Sequence, residues 1–379
     1  MDINQEALLK LIQKSQFGSS ENMRFDGVDW NEVYNEASFQ TVLGIVAPEV
    51  PDESMDEKWL QVQLSQMASY IRYYHAEDEL KQVLDDAGIP FVVLKGNAAA
   101  ISYKEPSRRA MGDIDFLVPR DRYDVVEELL ESSGYIKGHD NGRHAEYKKN
   151  GMCFEPHRHY SLDVDIEDYL IEDLKTPIIA RIEDHSFPML STLTNGLALL
   201  DHMRRHLKSG LGLRQVIDWM MYVYRNLDDE YWENEFSRVA KEKKMDKLAV
   251  TATRMCQMYL GLPETITWCN GADEKTCEEL MECLLASGNF GRKNGRGNSV
   301  ETVSTNMKRK GLFRWLQYAG EFNWEAYHRH HWLKPFCWLY QIFRYAKQGV
   351  KTGRNRKQIR GDLDRSKERF ELLKKLGIE

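Results

Sequence analysis

The chain has 379 residues, of which 42% are hydrophobic and 11% aromatic, and its formal net charge is −7. A chain of this size can bury a substantial core, which predicts two or three packed subdomains. The acidic balance argues against broad nonspecific binding of nucleic acid, although it is compatible with a local basic groove.

Patterns typical of targeting segments and zinc sites are missing from the sequence. The six cysteines form no C-x-x-C pair, the N-terminus lacks the basic and apolar regions of a secretory signal, and no apolar run approaches the roughly 18 residues of a membrane span. These features predict a cytoplasmic protein with reduced thiols and no membrane partner.

Residues 1–88 are predicted to form an N-terminal helical region. Its longest helix is expected between Met55 and Ala87. Six apolar residues recur there at helical spacing and predict a face that packs on a sheet: Leu60, Leu64, Met67, Ile71, Leu80 and Val83.

A strand followed by a glycine turn is predicted next. The run from Pro90 to Leu94 is short and apolar, which favours a buried strand. Gly96 permits backbone conformations that a side chain would block, and Asn97 is expected to cap the helix that follows. A glycine turn at a helix N-terminus can bind phosphate, because free N–H groups and the helix dipole point at the anion.

Two aspartates follow on the strand that reads M-G-D-I-D-F-L-V. Strand alternation places Asp113 and Asp115 on one face, with Ile114 and Phe116 on the other. Two adjacent carboxylates favour a hard divalent cation, Mg²⁺ or possibly Mn²⁺. Such a site suits phosphoryl or nucleotidyl transfer, in which metal ions neutralise the triphosphate charge.

The motifs K-G and R-x-x-G-D-I-D, in this order, resemble the uncharacterised nucleotidyltransferase family of the DNA polymerase β-like superfamily. The sequence departs from the superfamily pattern because Lys95-Gly96 replaces the commoner Gly-Ser pair, as is usual in this subgroup. The resemblance implies an α+β fold, with a small mixed sheet between N-terminal helices and a larger C-terminal helical region. Five residues become candidates for binding the nucleotide: Lys95, Gly96, Asn97, Arg109 and Gly112.

A β-hairpin is predicted beyond a helix at Arg120–Ser132. Asn150-Gly151 lies between two strand-like runs, which is a strong hairpin signal. The return strand carries Glu155 and His157 on one face, and Pro156 between them predicts an edge strand or a bulge.

The third carboxylate of the site is expected near this hairpin. Glu155 is the preferred candidate for a metal ligand or general base, because the resemblance also has an E-x-H here. Asp163 and Asp165 share a face of a later segment, and either is an alternative. His157 is a candidate to contact substrate or metal, or a strand histidine with ordinary hydrogen-bond partners.

Residues 89–190 are therefore expected to form the catalytic core, and residues 191–379 a C-terminal helical region that closes the cleft. His202 and His206 share a helix face, which suits zinc or, in the absence of an evident third ligand, hydrogen-bonded side chains that line the cleft. Arg214 and Asp218 have the spacing of an intrahelical salt bridge. The resemblance, with its H-x-x-x-H and L-R-x-x-x-D, implies instead that they form the second wall of the cleft and that Arg214 contacts the triphosphate.

Two later segments carry weaker signals. The glycine-rich, basic stretch at Ser287–Asn298 favours a mobile connection over a phosphate loop, because no strand precedes it. The aromatic and basic residues after Met307 can stack nucleic-acid bases, but helical spacing favours packed terminal helices with extended basic side chains.

The combined motifs predict a metal-dependent transfer of NMP from an NTP, such as ATP, to an acceptor. The acceptor is expected to be a small molecule, with a protein or tRNA as alternatives. Two other hypotheses are a regulatory module that binds a nucleotide without turnover and a toxin-like nucleotidyltransferase that modifies tRNA. The preferred base and the oligomeric state are not encoded in these motifs.

Overall fold

The computed structural model describes the chain except for residues 19–23, 141–142, 161–165, 295–299, 353–355 and 379. The N-terminal region contains four helices within these limits: α1 (Ile3–Phe17), α2 (Trp30–Gln40), α3 (Leu43–Val46) and α4 (Glu57–Asp86). Asp2 begins α1 with a capping box, since its side chain accepts from the Gln5 N–H while the Gln5 side chain accepts from the Asp2 N–H. Asp29 and Asp56 cap α2 and α4.

The long helix α4 is confirmed, but the face predicted to cover the sheet is only partly right. Leu80 is fully buried, whereas Leu60, Leu64, Met67 and Ile71 are 51%, 72%, 49% and 49% exposed. Helical spacing identifies which residues share a face, but it cannot show where along a 30-residue helix the neighbouring sheet begins. The C-terminal part of α4 packs on the sheet through Tyr73, Leu80 and Leu84.

The described chain contains a mixed sheet of seven strands in the order β3-β4-β5-β2-β1-β7-β6. Its strands are β1 (Val92–Leu94), β2 (Asp113–Leu117), β3 (Ile136–Asp140), β4 (Ala145–Lys149), β5 (Met152–His157), β6 (Ile178–Ile182) and β7 (His185–Met189). Three helices accompany them: α5 (Gly96–Ala100), α6 (Tyr123–Ser132) and α7 (Glu167–Lys175). The predicted Asn-Gly hairpin is confirmed, because Asn150 and Gly151 both have positive φ between β4 and β5.

The register of the central strands aligns the candidate site residues. Strand β2 is antiparallel to β1 and parallel to β5, so that Asp115 lies opposite Leu94 on one side and Glu155 on the other. Side chains at alternate positions share a face, and Asp113 therefore joins Asp115 and Glu155 at one level of the sheet. On the other face Ile114, Phe116 and Phe154 are buried in the core.

Pro156 does not mark an edge strand, because β5 lies between β4 and β2 in the middle of the sheet. Tyr123 of α6 explains how the proline is accommodated. Its hydroxyl donates to the Pro156 carbonyl at 3.0 Å and accepts from the Ala145 N–H at 3.2 Å. The hydroxyl thus provides hydrogen-bond partners for one backbone group on each strand, next to the proline, which has no N–H to donate.

The C-terminal region is helical. Its helices are α8 (Thr192–Leu207), α9 (Leu213–Asn226), α10 (Asp229–Tyr231), α11 (Ser237–Glu242), α12 (Asp246–Leu260), α13 (Glu274–Ser287), α14 (Val300–Lys310), α15 (Leu312–Asn323), α16 (Glu325–Arg329), α17 (Cys337–Thr352) and α18 (Arg356–Lys375). Helices α8 and α9 join α1 in one hydrophobic core, and Gln13 of α1 also donates to the Tyr259 carbonyl of α12. In the part of the chain that the structure covers, no helix combines the length and apolar character needed to cross a bilayer.

The terminal helices are less well packed than their spacing predicts. Phe313, Trp332 and Phe343 are 61%, 72% and 71% exposed. Helix α15 does pack closely on α17, since a side chain at Gly320 would collide with the Cys337 carbonyl at 1.9 Å. The prediction of a packed pair is therefore correct for one face of these helices only.

Tyr123→Phe should destabilise the protein by about 1–3 kcal/mol, because it leaves the buried Ala145 N–H without its acceptor. Urea unfolding would measure the difference, with exposed Tyr224→Phe as the matched control. An unchanged free energy of unfolding for Tyr123→Phe would show that the hydroxyl does not support the strand pair.

Candidate active site

Three carboxylates converge on one face of the sheet. Single oxygen atoms of Asp113, Asp115 and Glu155 lie within 4.8 Å of one another. Asp115 is 3% exposed, and the Glu155 side chain is 14% exposed. The rival third acids, Asp163 and Asp165, lie outside the described residues. The set contains oxygen donors alone, which are the ligands that Mg²⁺ and Mn²⁺ prefer.

The carboxylates hold their protons very differently. The Asp115 charge and then burial raise the pKa of Asp113. Burial and the two aspartates raise the pKa of Glu155 to about 8. Burial also works to raise the pKa of Asp115, but the Lys95 ammonium and a hydrogen bond from His157 outweigh it and hold this pKa well below its usual range. The raised pKa values show that mutual repulsion disfavours the ionised forms of Asp113 and Glu155, and this set of oxygen donors fits a divalent cation.

The turn between β1 and α5 places Lys95 against this set. The Lys95 Nζ lies 2.8 Å from Asp115 Oδ1, and its backbone has a φ of +54°. Positive φ is costly for a residue with a Cβ, and such strain is concentrated at functional sites. Gly96 also has positive φ, and a Cβ there would approach the Tyr73 hydroxyl at 2.6 Å. That hydroxyl donates to the Asp113 carbonyl, so the glycine permits a contact that fixes the aspartate strand.

Asn97 is not placed as predicted. Lys95 is the residue at the start of α5, and the helix has no side-chain cap. Asn97 is fully buried and its Nδ2 donates to Glu77 at 3.2 Å. From the sequence G-N-A alone, a capping asparagine cannot be distinguished from a core asparagine, because the buried carboxylate that Asn97 contacts lies on the distant helix α4. Gly112, in contrast, does line the cavity above the carboxylates.

Two histidines surround Glu155. His157 is fully buried and its Nε2 donates to Asp115 Oδ1 at 2.7 Å. His144 immediately precedes β4 and lies opposite His157, and its Nε2 is 3.3 Å from Glu155 Oε2. Burial lowers the pKa of His157 to about 4 and that of His144 to about 3. Both imidazoles are therefore neutral at physiological pH.

The opposite wall of the cavity comes from α8 and α9. His202 and His206 meet edge to face with ring centroids 4.5 Å apart, and burial holds the pKa of each well below its usual range. Among the described residues, no third ligand joins them in a metal cluster. The described residues therefore supply no zinc site at this pair, and both rings line the cavity. The Phe290 ring lies against His206 at 4.7 Å, which brings the glycine-rich segment to the cavity wall.

Asp218 and Arg214 do not form the intrahelical salt bridge that their spacing suggests. Asp218 is paired with Arg109 through two bonds of 2.7 Å and accepts from Tyr103 at 2.6 Å. Arg214 donates to the Ala110 carbonyl at 3.0 Å and lines the cavity. Arg109 also lines the cavity, while Asp218 is 1% exposed and orients the guanidinium. The buried pair joins the loop before β2 to α9.

The cavity measures about 200 Å³ and is lined by both signs of charge. Five cations face three carboxylates among its described lining residues: Lys95, Arg109, Arg143, Arg205 and Arg214 against Asp113, Asp115 and Glu155. The buried Nε of Arg214 has no hydrogen-bond partner, whereas the Nε of Arg205 lies 2.9 Å from Asp201 Oδ2. Buried donors without a partner are costly, and they point to an anionic ligand.

Sequence reasoning missed Arg143, Arg205, Phe290 and Tyr73. Arg205 stands next to His206 on α8, so its proximity to a candidate pair was a usable signal. Arg143 precedes a strand and Tyr73 lies on the distant helix α4, and neither carries a local pattern. Their positions depend on tertiary packing alone.

A protein-family model described as "Uncharacterised nucleotidyltransferase" matches residues 26–261, which is more than half of the chain. The chain belongs to this nucleotidyltransferase family. The family and the fold class expected from the sequence are thereby confirmed, and the protein is a transferase. The sequence matches none of the curated proteins.

Two solved structures show low similarity to this chain. The antibiotic-resistance factor ANT(2'')-Ia has 10% identity and a TM-score of 0.35, over 45% of this chain and 93% of the other. An antigenic nucleotidyltransferase-like protein from Paracoccidioides brasiliensis has 13% identity and a TM-score of 0.32, over 53% of this chain and 95% of the other.

Glu155→Gln should change the dependence of stability on pH in the presence of a chelator. Because the pKa of Glu155 is raised to about 8, the folded protein binds this proton more tightly than the unfolded chain. The contribution to stability is fully present below about pH 4 and is lost as pH rises through about 8. The variant should therefore exceed the wild type by at least about 1 kcal/mol near about pH 9 and lose this advantage near about pH 5.

Denaturant unfolding at several pH values would measure this difference, with Glu128→Gln on the exposed face of α6 as the control. If the free energies of unfolding of wild type and Glu155→Gln changed in parallel with pH, the raised pKa of Glu155 would be contradicted.

Proposed function

We propose that the protein transfers a nucleoside monophosphate from an NTP to an acceptor in a reaction that depends on Mg²⁺ or Mn²⁺. The observation that carries this proposal is the cavity in which three carboxylates face several arginines, among them Arg214 with a buried Nε that has no hydrogen-bond partner. A triphosphate with its cation complements both walls at once. The acceptor proposed is a small molecule.

Asp113, Asp115 and Glu155 would hold the cation, which when bound neutralises phosphate charge and polarises the phosphorus. Arg205 and Arg214 offer planar guanidinium groups on the opposite wall, where they can hold phosphate oxygens with paired hydrogen bonds. Asp218 keeps Arg109 in place beside them.

Glu155 is also suited to handle the proton of the acceptor. Without a cation the pKa of this carboxyl group is about 8, so it exchanges a proton near neutral pH, and a bound cation would lower the pKa and keep the group ionised as a base. His157 cannot replace it while its Nε2–H is donated to Asp115. The roles of ligand and base therefore converge on one side chain.

Asp113→Asn and Asp115→Asn should each reduce metal-dependent release of pyrophosphate by at least about 10²-fold, because each removes a ligand charge at constant volume. Release would be measured with each NTP in turn, with Mg²⁺ or Mn²⁺, and melting temperatures would verify folding. Exposed Asp121→Asn serves as the control. Full turnover in either site variant would refute the carboxylate site, and nucleotide binding without pyrophosphate release in the wild type would favour a regulatory module.

Arg214→Lys should weaken NTP binding by about tenfold or more, since an ammonium keeps the charge but loses the planar pair of donors. Calorimetry at fixed Mg²⁺ concentration would measure the affinity, with exposed Arg225→Lys as the matched control. Equal affinity of wild type and Arg214→Lys would remove this residue from the nucleotide site.

A further inference from the structure

Strand pairing assembles a second group of possible ligands next to the three carboxylates. The E-P-H sequence of β5 places Glu155 and His157 on one face, two residues apart. His144, the residue immediately before β4, lies directly opposite His157 in an isolated antiparallel bridge. One atom from each of the three side chains lies within 4.8 Å of the other two.

The distances within this group converge on Glu155. Its Oε2 is 3.3 Å from the Nε2 of His144 and 3.9 Å from the Nε2 of His157. The two imidazole centroids are 4.7 Å apart. Two nitrogens and one carboxylate oxygen therefore face a common point from two adjacent strands.

We propose that His144, Glu155 and His157 form a second cation site, which takes a borderline transition metal such as Zn²⁺ or Co²⁺. Imidazole nitrogen selects such ions over Mg²⁺, while the neighbouring set of carboxylates suits the harder cation. The inference rests on the proposed function only because Glu155 is common to both sets. A shared carboxylate allows the two ions to lie as neighbours, as in two-metal sites.

The second ring nitrogen of His157 has a partner of its own. The Nδ1 of His157 faces the His159 carbonyl at 3.4 Å. A proton on Nδ1 would be held there, in the manner typical of metal-bound histidine, and Nε2 would then exchange its bond to Asp115 for the cation.

A purely structural role makes a different prediction. In that case His144 and His157 only donate hydrogen bonds that orient Glu155 and Asp115, and Lys95 supplies the sole compensating charge. In the metal site the histidine nitrogens bind the metal directly, whereas in the structural role they do not. A measurement that sees the metal itself therefore separates them.

The experiment titrates the full-length, metal-free protein with CoCl₂ in the absence of nucleotide. The visible absorption of Co²⁺ reports its ligands, and calorimetry reports the affinity. His144→Gln retains a hydrogen-bond donor but removes the nitrogen ligand, and it should weaken the tight Co²⁺ binding by at least about tenfold with loss of the nitrogen-dependent spectrum. Exposed His139→Gln on β3 is the matched control and should match the wild type.

Asp113→Asn separates this inference from the proposed function. Asp113 belongs only to the carboxylate set, so the variant should lose pyrophosphate release yet keep the tight Co²⁺ site. If His144→Gln proves unstable at the assay temperature, Glu155→Gln takes its place and should also lose tight Co²⁺ binding. Wild-type affinity and spectrum in a folded variant of His144 or Glu155 would overturn the second site. A protein that binds Co²⁺ through His144 but turns over no NTP would overturn the proposed function alone.

Discussion

The crowding of negative charge on one face of the sheet is the constraint on which the rest of the site depends. Asp113, Asp115 and Glu155 lie at one level because β2 has β5 as its parallel neighbour. Three carboxylates at this distance cannot all be ionised in a partly buried setting without compensation. Lys95 and His157 compensate Asp115 and leave the excess on the other two. This imbalance makes the site receptive to a cation.

A buried ion pair fixes the position of α9 relative to the sheet. Arg109 precedes the aspartate strand and Asp218 lies on α9, so their two hydrogen bonds connect the sheet to the helices that carry Arg214. Removing one partner of such a pair leaves an uncompensated buried charge, which is far more costly than losing an exposed pair. Tyr103 completes the hydrogen bonds of Asp218. The cleft geometry is therefore coupled to the stability of the fold.

Local sequence was sufficient to predict features that depend on local chemistry. The alternation of Asp113 and Asp115 and the positive φ of Asn150-Gly151 follow from strand geometry and turn preference. The nearby Glu155 was predicted because a hairpin returns the chain to the same edge. Features that depend on distant partners were not predictable. Pro156 is tolerated in a central strand because Tyr123 of another element supplies the missing bonds.

The same distinction explains the error on α4 and why the salt-bridge spacing on α9 is not used. The spacing of Leu60 and Leu64 correctly defines a helix face. The local sequence does not show, however, that the sheet covers only the C-terminal part of α4. Arg214 and Asp218 have ideal spacing for a salt bridge, yet Arg109 offers Asp218 a bidentate partner in a buried setting. An exposed pair four residues apart contributes only about 0.3 to 0.5 kcal/mol, so a stronger tertiary partner prevails. Arg214 is thereby released toward the cavity, where its Nε remains available to an anion.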